Sequence, residues 1–95
     1  METKMSRKEY DKPLLTKVVL DVLKPHKPSI IEMADAIVSI DGIRRVSITI
    51  REMDAETETV KVVIEGKGVN FRNVEEAIEE LGASIHSVDE VEMER

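Results

Sequence analysis

Alternation with a period of two marks the chain from Leu14 to Leu23. Val18, Leu20 and Val22 share one side, and Lys17, Val19, Asp21 and Leu23 share the other. A pleated strand sends successive side chains to opposite faces, so this spacing predicts a strand with one apolar face and one mixed face. After "KPHKP" the period changes. Ile30, Met33, Ala34, Ile37 and Ile40 recur at three and four, the stripe of an amphipathic helix over about 30–41. Ser29-Ile30-Ile31-Glu32 has the form of a capping box at its start, and Gly42 supplies a left-handed stop.

Alternation returns over 43–53, with Val46, Ile48 and Ile50 facing in and Arg45, Ser47, Thr49 and Arg51 facing out. The polar run 54–58 reads as a hairpin turn. A third strand covers 59–65, where Val60, Val62 and Ile64 oppose Lys61, Val63 and Glu65. Gly66-Lys67-Gly68 ends it. A second helix starts at a cap supplied by Asn70 or Asn73 and carries the stripe Val74, Ala77, Ile78 and Leu81, with Phe71 beneath its first turn. Gly82 closes that helix, and a last strand covers 84–93. There Ile85 and Val88 are three apart, which breaks strict alternation and predicts a bulge or a strand end near Ser87.

The order is βαββαβ, and the halves echo each other in "AIVSIDGIRRVSI" and "AIEELGASIHSV". The economical arrangement is α+β: a ferredoxin-like sandwich with a four-stranded antiparallel sheet, order 4-1-3-2, and both helices on one face. Residues 14–95 then form one domain. Residues 1–13 are polar, aperiodic and closed by Pro13, and are expected to be a flexible tail, within which Met5 is an alternative start.

One sheet face is left without helices in such a fold. The alternation assigns to it Val19, Asp21 and Leu23, then Val63 and Glu65, then His86 and Val88. Large aliphatics at the centre of a solvated face call for a cover, so Val19, Leu23, Val63 and Val88 are the expected oligomer interface. The second strand is expected at an edge, with Arg44, Arg45 and Arg51 toward its side and ends. Such an edge can pair with another subunit and, if the rotation closes, build a ring.

Composition narrows the function classes. The 95 residues carry a formal charge of −6, one Phe and one Tyr. That acidity opposes a phosphate backbone, and base stacking has almost nothing to use, so nucleic acid is excluded as a partner. No apolar run approaches a membrane span or a signal peptide. The absence of cysteine removes disulfides, zinc ribbons and thiol chemistry, and the simple reading is a cytoplasmic protein. Charged residues make up 36% of the chain with no glutamine, a thermophile-like balance.

Three constellations remain for chemistry. The turn 24–29 offers Lys24, His26, Lys27 and Ser29 near a helix start, where an anion is favoured by free amides and the dipole. The competing reading is a rigid joint, because Pro25 and Pro28 restrict the unfolded chain and Ser29 and Glu32 already occupy the helix end. Asp21 and His86, on adjacent strands, form a candidate metal or proton-tuning pair, completed across subunits, against the simpler reading of an interfacial hydrogen bond. Acidic groups cluster at Glu52, Asp54, Glu56 and Glu58, and again at Asp89, Glu90, Glu92 and Glu94. Those are read mainly as solvated faces, with a weakly bound divalent cation as the functional counterpart. Phosphate loops, dinucleotide turns, catalytic triads and His-Glu-x-x-His are absent, so no catalytic residue, cofactor or enzyme class is assigned.

The stretches "LDVLKPHKPSIIEMADAI", "GIRRVSITIREMDAETETVKVVIEG" and "VEEAIEELGASIHSVDEV" together resemble the small archaeal family called domain of unknown function 211. Lys24-Pro25-His26, Pro28-Ser29 and His86-Ser87-x-Asp89-Glu90 are the more specific parts of the likeness. The resemblance implies a ferredoxin-like protein that assembles with itself, in rings, and supplies no activity. The functional expectation is a non-enzymatic homo-oligomeric module, ACT-like, that binds a small ligand or cation between subunits. The candidate ligand residues are Lys24, His26, Ser29, His86, Asp89 and Glu90. The alternative is a structural scaffold that docks a protein partner.

Overall fold

The computed structural model describes residues 12–95. The expected tail over 1–13 therefore lies outside the described residues, apart from Lys12 and Pro13. The order is β1 (Leu14–Pro25), α1 (Ile30–Val38), β2 (Ile43–Met53), β3 (Thr57–Gly66), α2 (Phe71–Glu80) and β4 (Ser84–Glu94). All strand pairs are antiparallel, and the sheet order is β2-β3-β1-β4. This is the ferredoxin-like arrangement that the alternation predicts.

The core lies between the sheet and the helices. Val18, Leu20 and Val22 of β1 and Val60, Val62 and Ile64 of β3 meet Met33 and Ile37 of α1 and Val74 and Ile78 of α2, all buried. Periodicity alone assigns each of them inward. Full burial of such a side chain contributes about 1.5–3 kcal/mol. The helix starts are set by their caps. Ser29 Oγ accepts from the Glu32 amide at 3.2 Å while Glu32 Oε1 accepts from the Ser29 amide at 2.8 Å. Asn70, not Asn73, caps α2, accepting from the Asn73 amide at 3.2 Å. The first helix ends at Val38, earlier than the stripe suggests. The Ser39 hydroxyl bonds the Asp35 carbonyl and Ile40 continues in a tighter turn, yet still packs against the core.

Two expectations are corrected. Thr57 and Glu58 belong to β3 and not to the turn, and Glu58 is buried. The inward series Val60, Val62, Ile64 runs backward to Glu58, so period two places its carboxylate on the core side. Val88 does not lie on the open face. It stands opposite Leu20, a core position, because the first of two bulges in β4 precedes it. The extra residues are His86, between the pairs Val22–Ile85 and Asp21–Ser87, and Asp89, between Leu20–Val88 and Val19–Glu90. A bulge beside Ser87 is what the Ile85–Val88 spacing signals; the second, at a polar position, leaves no hydrophobic trace.

The open face is correspondingly less apolar than expected. Val19 and Val63 stand opposite each other at its centre, and Val19 is only 5% exposed although no helix covers it. Charged pairs lie one step along the strands: Lys17 bridges Glu90 at 3.2 Å and Glu92 at 3.8 Å, and Arg45 reaches Glu65 at 3.4 Å. Leu23 is the aliphatic of this face that stays exposed.

Candidate functional site

Lys24 continues the inward series Val18, Leu20, Val22 by one more step, so its side chain points into the protein and not toward solvent. Glu58 ends the matching series on β3, and the two stand directly opposite in the ladder. Lys24 is 0% exposed. Its ammonium donates to Glu58 Oε1 at 3.0 Å, to the Pro25 carbonyl at 2.7 Å and to the His26 carbonyl at 3.5 Å. Three donors find three acceptors, which is the condition for a tolerable buried ammonium.

His26 occupies the other carboxylate oxygen. Its Nδ1 lies 2.8 Å from Glu58 Oε2, and its Nε2 lies 3.0 Å from the Asp54 carbonyl and 3.1 Å from that of Ala55. All three partners are acceptors, so the ring is best served by donating from both nitrogens, the imidazolium state. The hydrogen bond to Glu58, then those to Ala55 and Asp54, raise the His26 pKa above its ordinary value. Reciprocally, the hydrogen bonds from His26 and Lys24 hold the Glu58 carboxyl below the usual carboxylate range. Burial of the carboxylate opposes this and is outweighed.

Geometrically, the network ties the β1–α1 joint to the β2–β3 turn. The joint also contains a cis Lys27–Pro28 peptide bond. Of the expected ligand residues, Lys24 and His26 come together, but around an internal carboxylate that hydropathy alone leaves in a solvated turn. Ser29 is committed to its helix cap. Among the described residues, no buried side-chain polar atom in this region lacks a partner.

The remaining candidates lie elsewhere. His86 and Asp89 are the bulge residues of β4, both exposed; the Ser87 hydroxyl donates to Asp89 at 2.7 Å, and Glu90 pairs with Lys17. Asp21 faces Ser87 across the ladder, not His86. No hydrogen bond joins Asp21 to His86, and no group of three or more His, Asp or Glu able to hold a metal ion occurs among the described residues. A shallow groove lined by Leu14, Thr16, Gly66, Lys67, Glu94 and Arg95 sits at the end of the sheet remote from Lys24. No helix among the described residues is long and apolar enough to cross a membrane.

The fold and its joint define a class, the small ferredoxin-like α+β proteins with a long-stranded sheet. Within that class, residues 16–94 match the family described as "Uncharacterized ArCR, COG1888", DUF211, and the chain belongs to this archaeal family. It is similar to the uncharacterized protein MJ0319 of Methanocaldococcus jannaschii, 51% identical over 77 residues that cover 81% of this chain and 79% of that protein.

Proposed function

We propose that the protein is a non-enzymatic, cytoplasmic homo-oligomeric module that acts as a structural scaffold for partner docking. The observation that supports this most is the state of the β1–α1 joint. Lys24, His26 and Glu58 satisfy one another, so an arriving anion would have to break a buried ion pair to reach the lysine. The joint then serves rigidity, and the surfaces left for work are the two sheet edges. A native mass spectrum of untagged protein, before and after EDTA, tests this reading. A closed oligomer of bare subunit mass supports it; a monomer at micromolar concentration overturns it.

A second reading, a regulatory module holding a small ligand or divalent cation between subunits, draws on the two bulges of β4. Bulges re-aim side chains, and these present His86 and Asp89 beside Glu90, all exposed. Extra mass on the oligomer that EDTA removes would favour it over the scaffold.

A further inference from the structure

The sheet ends on two strands of equal length, β2 and β4, each with 11 residues, and among the described residues each pairs on one side only. Open edges are usually blunted by charge, bulges or shortness. Here they are long, and their charges differ in sign. β2 carries Arg44, Arg45 and Arg51 against Glu52, while β4 carries Asp89, Glu90, Glu92 and Glu94.

Following the ladder across the sheet sharpens this contrast. One level reads Glu92–Lys17–Glu65–Arg45 from β4 to β2, strictly alternating in sign. The levels on the helix side are apolar from end to end: Val91–Val18–Ile64–Val46, Val88–Leu20–Val62–Ile48 and Ile85–Val22–Val60–Ile50. Val88 and Val91 of the first edge and Ile50 of the second are exposed. Each level therefore begins with a residue type that its own far end would accept as a neighbour.

Strand direction agrees. All three pairings in the order β2-β3-β1-β4 are antiparallel, so β2 and β4 run oppositely. A second copy set beside the first in the same orientation brings its β4 antiparallel to β2, the direction used throughout the sheet, and keeps both helix layers on one side.

We infer that the β2 edge of one copy pairs with the β4 edge of another, extending the sheet, with Arg45 beside the partner copy's Glu92 and Ile48 beside its Val88. This rests on the homo-oligomeric reading above and specifies its contact. The contact is heterologous, since each subunit offers two different surfaces. The aliphatic levels contribute burial and the charged level fixes partner and register, because a β2–β2 or β4–β4 pairing would oppose like charges. The bulges at Arg44, Arg51 and Asp89 add charge to both edges and discourage unmatched strands.

The experiment is a charge exchange read by sedimentation or native mass spectrometry. Arg45→Glu and Glu92→Arg are made singly in the full chain, at positions exposed on the strand surface. Each alone is expected to raise the concentration needed for assembly by about tenfold or more, because like charges then meet at every contact. Mixed in equal amounts, the two variants are expected to assemble again, alternating in the complex. Recovery on mixing shows that both variants are folded. Either single variant assembling like the wild type, or a mixture that stays dissociated, overturns this contact while leaving the homo-oligomer standing. A wild-type monomer removes both.

Discussion

The Nδ1 of His26 lies 2.8 Å from Oε2 of Glu58, on the oxygen that Lys24 leaves free. A turn residue and a strand residue 32 positions apart are thus joined, and the bond depends on the charge of both. His26 has its pKa raised from 6.5, first by the hydrogen bond to Glu58. Its contribution to stability is complete below that unfolded value and is lost as pH rises through the higher folded one. We expect the urea midpoint to fall on going from about pH 6 to pH 9, and His26→Ala to remove much of that fall. Equal slopes in the two proteins would show that the ring contributes nothing pH-dependent.

Glu58 behaves in the opposite sense. Its pKa is lowered from 4.5, chiefly by His26 and then by Lys24, so its contribution is present above that value and lost as acid carries the pH down through the folded one. Replacing it by Gln leaves a buried ammonium without its counter-charge. Glu58→Gln should lower the melting temperature by on the order of 10 °C at neutral pH. Lys24→Met keeps the packing and removes the charge that needs a partner, so its loss should be clearly smaller. Calorimetry of the two variants side by side checks the ranking.

Gly66 answers to a steric limit. It stands opposite Ile43, and a Cβ there would run into the carbonyl oxygen of Gly42, an oxygen that accepts from the Lys67 amide at 2.8 Å. Gly42 itself has φ +90°, so its backbone cannot yield toward ordinary values. Gly66→Ala is expected to destabilise by about 2–3 kcal/mol in denaturant titration. Gly68→Ala, where the nearest non-neighbour atom is a flexible Leu14 methyl at 3.7 Å, has no such clash and should suffer only from its positive φ.

In the core, Ile78 is fully buried among the helix and sheet residues. Ile78→Ala should cost about 2–5 kcal/mol in the same assay. Ile31→Ala, on the exposed side of α1, should stay within about 0.5 kcal/mol.

Where period two or 3.6 holds, the sequence is legible. The first three strands, both helices and most of the core can be read from the spacing of aliphatics between Leu14 and Leu81. Lys24 and Glu58 mark where that legibility stops. Both continue an inward series by one step, so the signal is there, but hydropathy assigns a charge to solvent and cannot see that another series ends in the opposite charge across the ladder. Val88 shows the second limit. The unpaired residue at His86 returns Val88 to the core side; the Ile85–Val88 spacing signals a break there but not the side that Val88 takes after it, and the second bulge, at Asp89, has no hydrophobic signature. Val19 shows the third: period two assigns it to the helix-free face, yet it is buried.

The helices are short beside the strands. Nine residues of α1 span about 13 Å, whereas the 12 residues of β1 run to about 40 Å. Among the described residues the sheet therefore overhangs its helices at each end, and Met53 at one limit and Met93 at the other are both exposed. At one overhang the Lys24–Glu58–His26 network fastens the β1–α1 joint to the hairpin; at the other, the fastenings among the described residues include backbone ladder bonds and surface pairs such as Lys17–Glu92. Hydrogen exchange should consequently be directional, with amides near Leu14 and Glu94 opening well before those beside Pro25. A molecule so fastened is expected to unzip from one limit, as a fabric hemmed along a single side frays from the other.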